Sequence, residues 1–558
     1  MKRDLEALAD REHDVLVIGG GIAGACAAWE ASRRGLAVAL IDQGDFGHAT
    51  SAHSLKVVHG GIRYLQHGDL PRLRESVRER RAFLRLAPHL VHPLPFALPT
   101  YGHGVNGKAL LSAGLRLYDA LAIDRNRGIA DPDRRVPRGH TLSAAECASR
   151  FPALPREGLT GAGVFFDAQM YNPPRLVLAF LRSASESGAV LANYVAATDL
   201  LLRHDRVIGI RAADRLGARR FEVRGRVVIN AAGPWAPRLL RSAGIVLRPE
   251  PTFSRDACFV TPRRLTDGRH ALGVFAQTRD PDALLSRKAR HLFLVPWRKY
   301  TVVGVWHAVH PDRPDDCALT EEDLVGFTRE VNAAAPSLSI EPCEISRVSS
   351  GLVLFAENRP GARDLSYGKR PRIVDHAVTH GVEGLITSMT VRFTGGRWVG
   401  ERTAEMVCRK LRGGASSLRP SATPLHGGAI ERFAALEREA VSRCPRGTAP
   451  SAMRAVARNY GTDYRRILEY CERDPSLAGT IGDSDVLRAE VVHAAEREMA
   501  VRLADVVLRR TELGTGERPP VTALAEAARL MGGCLGWDEA RRHEEIATVE
   551  REYAHAVR

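Results

Sequence analysis

The feature that most constrains this chain lies between residues 14 and 42. Asp14-Val15-Leu16-Val17-Ile18 is a short apolar run of the kind that forms a strand buried on both faces of a parallel sheet. Gly19, Gly21 and Gly24 follow as G-x-G-x-x-G, and Ile22 to Arg33 reads as an alanine-rich helix ended by Gly35. A second apolar strand, Ala37-Val38-Ala39-Leu40-Ile41, runs into Asp42, 18 positions beyond Gly24. Strand, glycine turn, helix, strand and acid in this order specify a dinucleotide-binding unit. The first glycine makes the turn, the second lets backbone N–H groups approach a pyrophosphate, the third permits helix-on-strand contact, and the acid reaches a ribose. Without that context the glycines would be an ordinary turn.

One such unit accounts for little of 558 residues, so two or three packed units are expected. With 44% hydrophobic and 26% charged residues the chain is globular, neither disordered nor fibrous. Lys and Arg outnumber Asp and Glu by 80 to 65, a net +15 that favours anionic partners (phosphate esters, acidic lipid or nucleic acid) without choosing among them. Nine cysteines are scattered singly from Cys26 to Cys534 with no C-x-x-C pair, so no disulfide framework and no metal site are expected. A reducing cytoplasm fits. The polar N-terminus carries no secretory pattern and no apolar run is long enough to span a bilayer, so membrane contact would be peripheral, at the inner face.

Further along, Val227-Val228-Ile229-Asn230 reads as another buried strand, running into Ala231-Ala232-Gly233-Pro234-Trp235, a small-residue turn suited to pressing on a cofactor. His291 to Trp297 and Thr301 to Trp306 read as an antiparallel hairpin of a separate sheet, the substrate sheet. Gly413 to Ser417 and Pro420 to Pro424 look like a linker. From Ala429 to Arg558 apolar residues recur at helical spacing, which predicts an all-α C-terminal domain with a solvated, arginine-rich surface. The basic stretch Arg72 to Arg85, with Leu73, Val77, Phe83 and Leu84 interspersed, is compatible with an interfacial helix, but a solvated surface helix is the reading preferred for it. No nucleic-acid-binding motif is present, and nucleic acid is not expected as a partner.

These motifs coincide in one family. Thr50-Ser51-Ala52-His53-Ser54-Leu55-Lys56 followed by His59-Gly60-Gly61-Ile62-Arg63-Tyr64-Leu65, the Ala231 to Trp235 turn, the Asp167 to Leu178 segment and the helical Glu490 to Thr511 region resemble the FAD-dependent glycerol-3-phosphate dehydrogenases and oxidases over nearly the whole length. The resemblance implies an α/β fold: a Rossmann-type FAD-binding domain (segments about 13–65, 166–240 and 370–412) interleaved with a substrate domain built on an antiparallel sheet (about 66–165 and 241–369). A 413–428 linker and a 429–558 helical cap domain follow. It implies FAD held by Gly19, Gly21, Gly24, Asp42, Thr50, Ser51, Ser54, Lys56, Gly60, Gly61, Ala232, Gly233 and Trp235. On the substrate side it implies Arg63, Tyr64, Arg392 and His59, with His53 and His59 both open as proton acceptors. The implied reaction passes a hydride from a small hydroxylated substrate to the flavin, with glycerol 3-phosphate giving dihydroxyacetone phosphate as the leading case. Electrons would go on to a quinone or oxygen, and a second copy of the chain is a compatible partner.

The family pattern breaks on the substrate side. Where S-G-x-R-P is usual, Ser350-Gly351-Leu352-Val353-Leu354 lacks the phosphate-clamping arginine, and where G-G-K-L-T-T-Y-R is usual, Thr390 to Arg397 puts Arg392 in the lysine's place. Gly304-Val305-Trp306-His307 stands for G-T-T-D, and the strand that carries a histidine reads Ser254-Arg255-Asp256-Ala257-Cys258. One expectation is a rearranged cation set of Arg63 and Arg392 with Arg255 or Arg397. The alternative is a flavin oxidase or dehydrogenase for a non-phosphorylated hydroxy or amino compound, with Trp306 and Val353 as a less polar wall. The non-enzymatic alternative is a flavin-binding interaction module.

Overall fold

The computed structural model describes residues 1–104, 107–275, 291–310, 314–355, 370–413, 423–554 and 556–557. Most of the expected linker, residues 414–422, lies outside them.

Strand Glu12–Ile18 runs parallel between Val38–Ile41 and Arg220–Asn230, which pair in turn with Val190–Ala192 and Leu385–Met389, also in parallel. Val15, Leu16 and Val17 are fully buried because both faces of this sheet are covered. Helix Ile22–Ser32 is buried along its entire length, between helices Gly396–Arg412 and Pro173–Glu186. Its small residues make that possible: a Cβ on Gly400 would lie 2.6 Å from that of Cys26, so the two backbones approach as only small side chains allow.

The second sheet has the order Arg347–Phe355, Thr252–Thr261, Tyr300–His310, His291–Trp297, Ala271–Phe275, Val91–Tyr101, Leu159–Met170 and Val57–Val58. Its pairs are antiparallel except Ala271–Phe275 with Val91–Tyr101. The expected hairpin is present, its strands closing at Trp297 opposite Tyr300. The two sheets are interleaved in sequence and followed by helices from Phe433 to Ala554, the fold class the sequence predicts.

Two expectations about basic residues need correction. The arginines of the C-terminal helices are not all on a solvated surface: Arg509 and Arg510 are buried and clasp Asp45, three residues after Asp42, so they tie the C-terminal helices to the nucleotide sheet. Helix Leu70–Leu86 does not present the apolar residues interspersed among its arginines outward. Leu73, Val77, Phe83 and Leu84 are buried in the core, while Arg74 and Arg81 pair with Asp124 and Arg80 with Asp167. The helix is amphipathic toward the protein interior.

Candidate active site

A cavity of about 1140 Å³ opens between the two sheets. That exceeds the ~300–1,000 Å³ of a typical small-ligand pocket and gives room for a dinucleotide and a small donor together. Its wall includes Gly19, Gly21, Asp42, Thr50, Ser51, Ser54, Gly61, Ala232, Gly233 and Trp235 from the sequence-derived cofactor set, and all four of His59, Arg63, Tyr64 and Arg392.

The glycine turn is built for close approach. Gly19 has φ +103, and a Cβ there would meet the Ala231 carbonyl oxygen at 2.6 Å. A Cβ on Gly24 would fall 1.9 Å from the carbonyl oxygen of Gly19, so Gly24 works through helix-on-strand packing, away from the cavity wall. Gly21 precedes helix Ile22–Ser32 without a side-chain cap of its own, and the Ile22 N–H is taken by Ser51 Oγ at 3.0 Å. The helix start, with Ser51 beside it, borders the cavity and is suited to a pyrophosphate. Asp42 accepts from the N–H groups of Gly20 (2.6 Å) and Gly44 (2.9 Å), and burial raises its carboxyl above the usual range.

Besides Gly24, two of the expected cofactor residues stand off the wall. Gly60 is packed behind it, where a Cβ would strike Arg80 and Tyr118, and its N–H donates to Asp167 at 2.6 Å. Lys56 turns away as well. Its Nζ donates to the Ser54 carbonyl oxygen at 3.2 Å and lies 4.8 Å from the centroid of the Trp297 ring.

On the substrate side, two guanidinium groups lie against the Tyr64 ring, Arg72 at 4.5 Å and Arg392 at 4.9 Å from its centroid. With Arg63 they put three arginines on the cavity wall, two of them against the one phenol ring. The Nε of Arg392 is buried with no protein partner, a donor left for a ligand. Arg72, which the sequence reading placed on a surface helix, is thus a site residue.

The other proposed cations are elsewhere. Arg255 pairs with Asp323 at 2.6 Å on the far side of its strand, and Arg397 is locked to Glu79 by two 2.7 Å bonds. Trp306 also faces away, stacked on Phe327 at 5.8 Å, so it forms no part of the cavity wall. Side chains alternate along a strand, and with Val305 and His307 facing in, Trp306 must face out. The same alternation brings Asp256 and Cys258 inward and turns Arg255 outward. Asp256 and His307 stand directly opposite one another on adjacent strands, with Nδ1 to Oδ1 at 2.7 Å. The sequence reading noted both residues as departures from a pattern and saw no partnership. Strand alternation applied to the two segments together would have found it.

Among the cavity histidines, His59 places Nδ1 3.2 Å from Asp167, whose carboxylate also faces buried Arg80. His53 is pushed down to about 3 by burial, with Arg347 and Lys56 adding repulsion, so it stays neutral at ordinary pH.

Comparison with known proteins decides the family. The pattern described as FAD dependent oxidoreductase matches residues 14–402. The chain belongs to that FAD-dependent oxidoreductase family. FAD is therefore its cofactor, and the helix start, the tight glycine turn and the large cavity fit that group. In this oxidoreductase, residues 419–542 match the C-terminal domain of alpha-glycerophosphate oxidase. It is 28% identical over 556 residues to a glycerol-3-phosphate dehydrogenase from Synechocystis, covering 98% of this chain and 97% of that one. It is also 28% identical to the mitochondrial glycerol-3-phosphate dehydrogenase of mouse, covering 97% of this chain and 73% of the relative. The FAD complex of a glycerol-3-phosphate dehydrogenase from Bacillus halodurans shares its fold, with a TM-score of 0.76 over 99% of this chain and 96% of that one at 23% identity.

Proposed function

We propose that this flavoenzyme oxidises a secondary alcohol on a small anion, with glycerol 3-phosphate giving dihydroxyacetone phosphate as the reaction and a quinone or dioxygen as the final electron acceptor. The observation that carries the reading is the set of three arginines on the cavity wall, Arg63, Arg72 and Arg392, since guanidinium forks suit a phosphate dianion. The naming of full-length relatives as glycerol-3-phosphate dehydrogenases supports it. In this reading Gly19, Gly21 and the start of helix Ile22–Ser32 hold the pyrophosphate, Asp42 the ribose, and Thr50, Ser51, Ser54, Gly61, Ala232 and Gly233 border the rest of the cofactor. When bound, FAD supplies a hydride acceptor. Arg63, Arg72 and Arg392 fix the donor's anionic end, and the enclosing sheets restrict water.

The test is an anaerobic titration of the purified holoenzyme with sn-glycerol 3-phosphate, with glycerol, hydroxy acids and amino acids as comparisons. Glycerol 3-phosphate should bleach the flavin band. Arg63→Ala should keep FAD bound and lose that reduction by about 30-fold or more, the cost of removing one partner of a charge-assisted contact. Loss of FAD from the variant would make Arg63 structural. A second reading, oxidation of a non-phosphorylated hydroxy or amino compound, is favoured by Val353 and Val305 on the wall and by the Asp256 carboxylate beside them. Bleaching by such a compound and not by glycerol 3-phosphate would select it.

A quinone acceptor would require peripheral contact with a bilayer. Among the described residues no helix is long and apolar enough to cross one. Helix Lys108–Leu121 offers a face other than the Arg72 to Arg85 stretch: Leu110 and Leu117 are exposed, and Ile123 just beyond is 82% exposed, with Arg116 and Arg127 nearby. An apolar face rimmed by cations suits an anionic lipid surface. The protein should co-sediment with vesicles containing acidic lipid, and a Leu117→Glu/Ile123→Glu variant should not. Equal sedimentation of both would remove this face from the reading.

A further inference from the structure

We infer that the C-terminal helices are a cofactor-retention element: through Asp45 they fix the loop from Asp42 to His48 against the FAD, so that docking of these helices and binding of FAD are linked. The inference rests on FAD as the cofactor and is independent of which donor is oxidised. Among the described residues none beyond Thr394 lines the cavity, so the C-terminal helices reach the cofactor only by way of another segment. The loop that follows strand Val38–Ile41 is that segment. Asp42, Gln43, Gly47 and His48 are on the cavity wall, whereas Asp45 is buried and off it.

Asp45 faces both ways. Its carboxylate accepts from Arg509 and from the Arg510 fork through three bonds of 2.7 Å. Its carbonyl oxygen accepts the His48 N–H at 3.3 Å and lies 2.7 Å from His48 Nδ1. A second link runs alongside: the Gly44 carbonyl oxygen accepts the Tyr194 N–H at 2.9 Å, and the Tyr194 hydroxyl donates at 2.5 Å to Asp505, whose carboxylate also holds Arg509 at 2.8 Å. On its inner side the loop is tied to the glycine turn, with the Gly47 N–H on the Gly20 carbonyl oxygen at 3.1 Å and the Gly20 N–H on the Asp42 carboxylate at 2.6 Å. The loop is thus held between the turn that borders the cofactor and the helical turn Val506–Arg510.

Docking alone does not require charge at this place, because apolar side chains of similar volume often hold two elements as firmly as a buried ion pair. What a bidentate fork adds is direction, since two parallel N–H···O bonds fix where the carboxylate lies. Tyr194 meets the same demand, held at φ +55 in the left-handed region with its N–H on Gly44 and its hydroxyl on Asp505. With the clasp closed FAD meets a wall already ordered, and with it open binding must order the loop. Linkage is reciprocal, so bound FAD holds the helices to the sheet by the same factor.

FAD release from the holoenzyme tests this, followed as the rise in flavin fluorescence after dilution, at a temperature where far-UV circular dichroism stays native. Arg510→Lys keeps the charge and loses the fork, and Tyr194→Phe removes one hydroxyl. Both should release FAD about tenfold or more faster than wild type, within the usual coupling between two sites. Ile467→Ala is the control: Ile467 is fully buried in a cluster of the C-terminal helices that includes none of residues 503–510. It should destabilise the fold and release FAD at the wild-type rate. In the full-length protein FAD should also slow amide exchange over Val506–Arg510 by more in wild type than in Arg510→Lys. Release at the wild-type rate from both clasp variants, equally fast release from Ile467→Ala, or equal slowing of exchange in the two proteins overturns the inference, and each leaves the donor assignment untouched.

Discussion

Asp45→Ala is expected to destabilise the protein by about 3–5 kcal/mol, the cost of breaking a buried ion pair from one side. Asp45 has no solvent exposure and serves two arginines at once: Arg510 through a bidentate pair of 2.7 Å bonds and Arg509 through Nε at 2.7 Å, with Asn193 adding an amide at 3.0 Å. The two guanidinium groups hold its carboxyl well below the usual carboxylate range. Removing it takes a carboxylate from two buried cations at once. Arg509 retains Asp505 at 2.8 Å, but Arg510 keeps only the Glu498 carbonyl oxygen among its described partners. Urea unfolding of the holoenzyme, wild type against Asp45→Ala and Asp45→Asn, measures this. Asn keeps the acceptor shape and loses the charge, so it should lie between the other two. The pH dependence has a fixed sign: a carboxyl depressed on folding stabilises above its unfolded value, and that stability is lost as pH falls through the folded one. The wild-type advantage over Asp45→Asn should therefore shrink in acid. A loss below about 1 kcal/mol at pH 7 would show that packing, and not this pair, holds the C-terminal helices in place.

The parts of the structure that were legible from sequence are those where one local pattern forces one geometry. The run from Asp14 to Asp42 combines an all-apolar strand, a glycine turn and an alanine-rich helix, and each element excludes alternatives for the next. Ala231 to Trp235 was legible for the same reason, since a turn of small residues after a buried strand has few places to go. Residues whose direction depends on a partner far away in sequence were not legible. Arg255, Arg397 and Arg509 look alike as letters. Asp323, Glu79 and Asp45 turn them away from the cavity, and those partners are 68, 318 and 464 positions distant. Arg72 went the other way, because Tyr64 and Arg392 give its helix an inner end on the site. Trp306 is a different kind of error: its orientation follows from strand period alone, and comparing it with a family pattern one position at a time concealed that Val305 and His307 had to share the opposite face.

Lys56 shows how such a difference can be put to measurement. The family resemblance implies a lysine on the cofactor, whereas the structure buries it to 5% exposure between Ser54 and the Trp297 ring, in a left-handed backbone position at φ +62. Burial brings its ammonium down to about 8, with Arg347 and Arg298 adding repulsion. Below pH 8 both folded and unfolded chains carry this proton, and the folded protein bears the full cost of the buried charge. Between 8 and the ordinary lysine value of 10.5 the unfolded chain binds more proton, so stability rises with pH across that window. The shift corresponds to about 3 kcal/mol, offset in part by ~0.5–2 kcal/mol of cation–π attraction to Trp297. Lys56→Met, which keeps the stem's volume and leaves the backbone position equally strained, should therefore be more stable than wild type at pH 7 by about 1–2 kcal/mol. The difference should fall away or reverse by pH 10.5, and the variant should purify with its full complement of FAD. Loss of FAD from Lys56→Met, with stability otherwise intact, would instead put this lysine on the cofactor and require the Thr50 to Lys56 segment to rearrange when FAD binds.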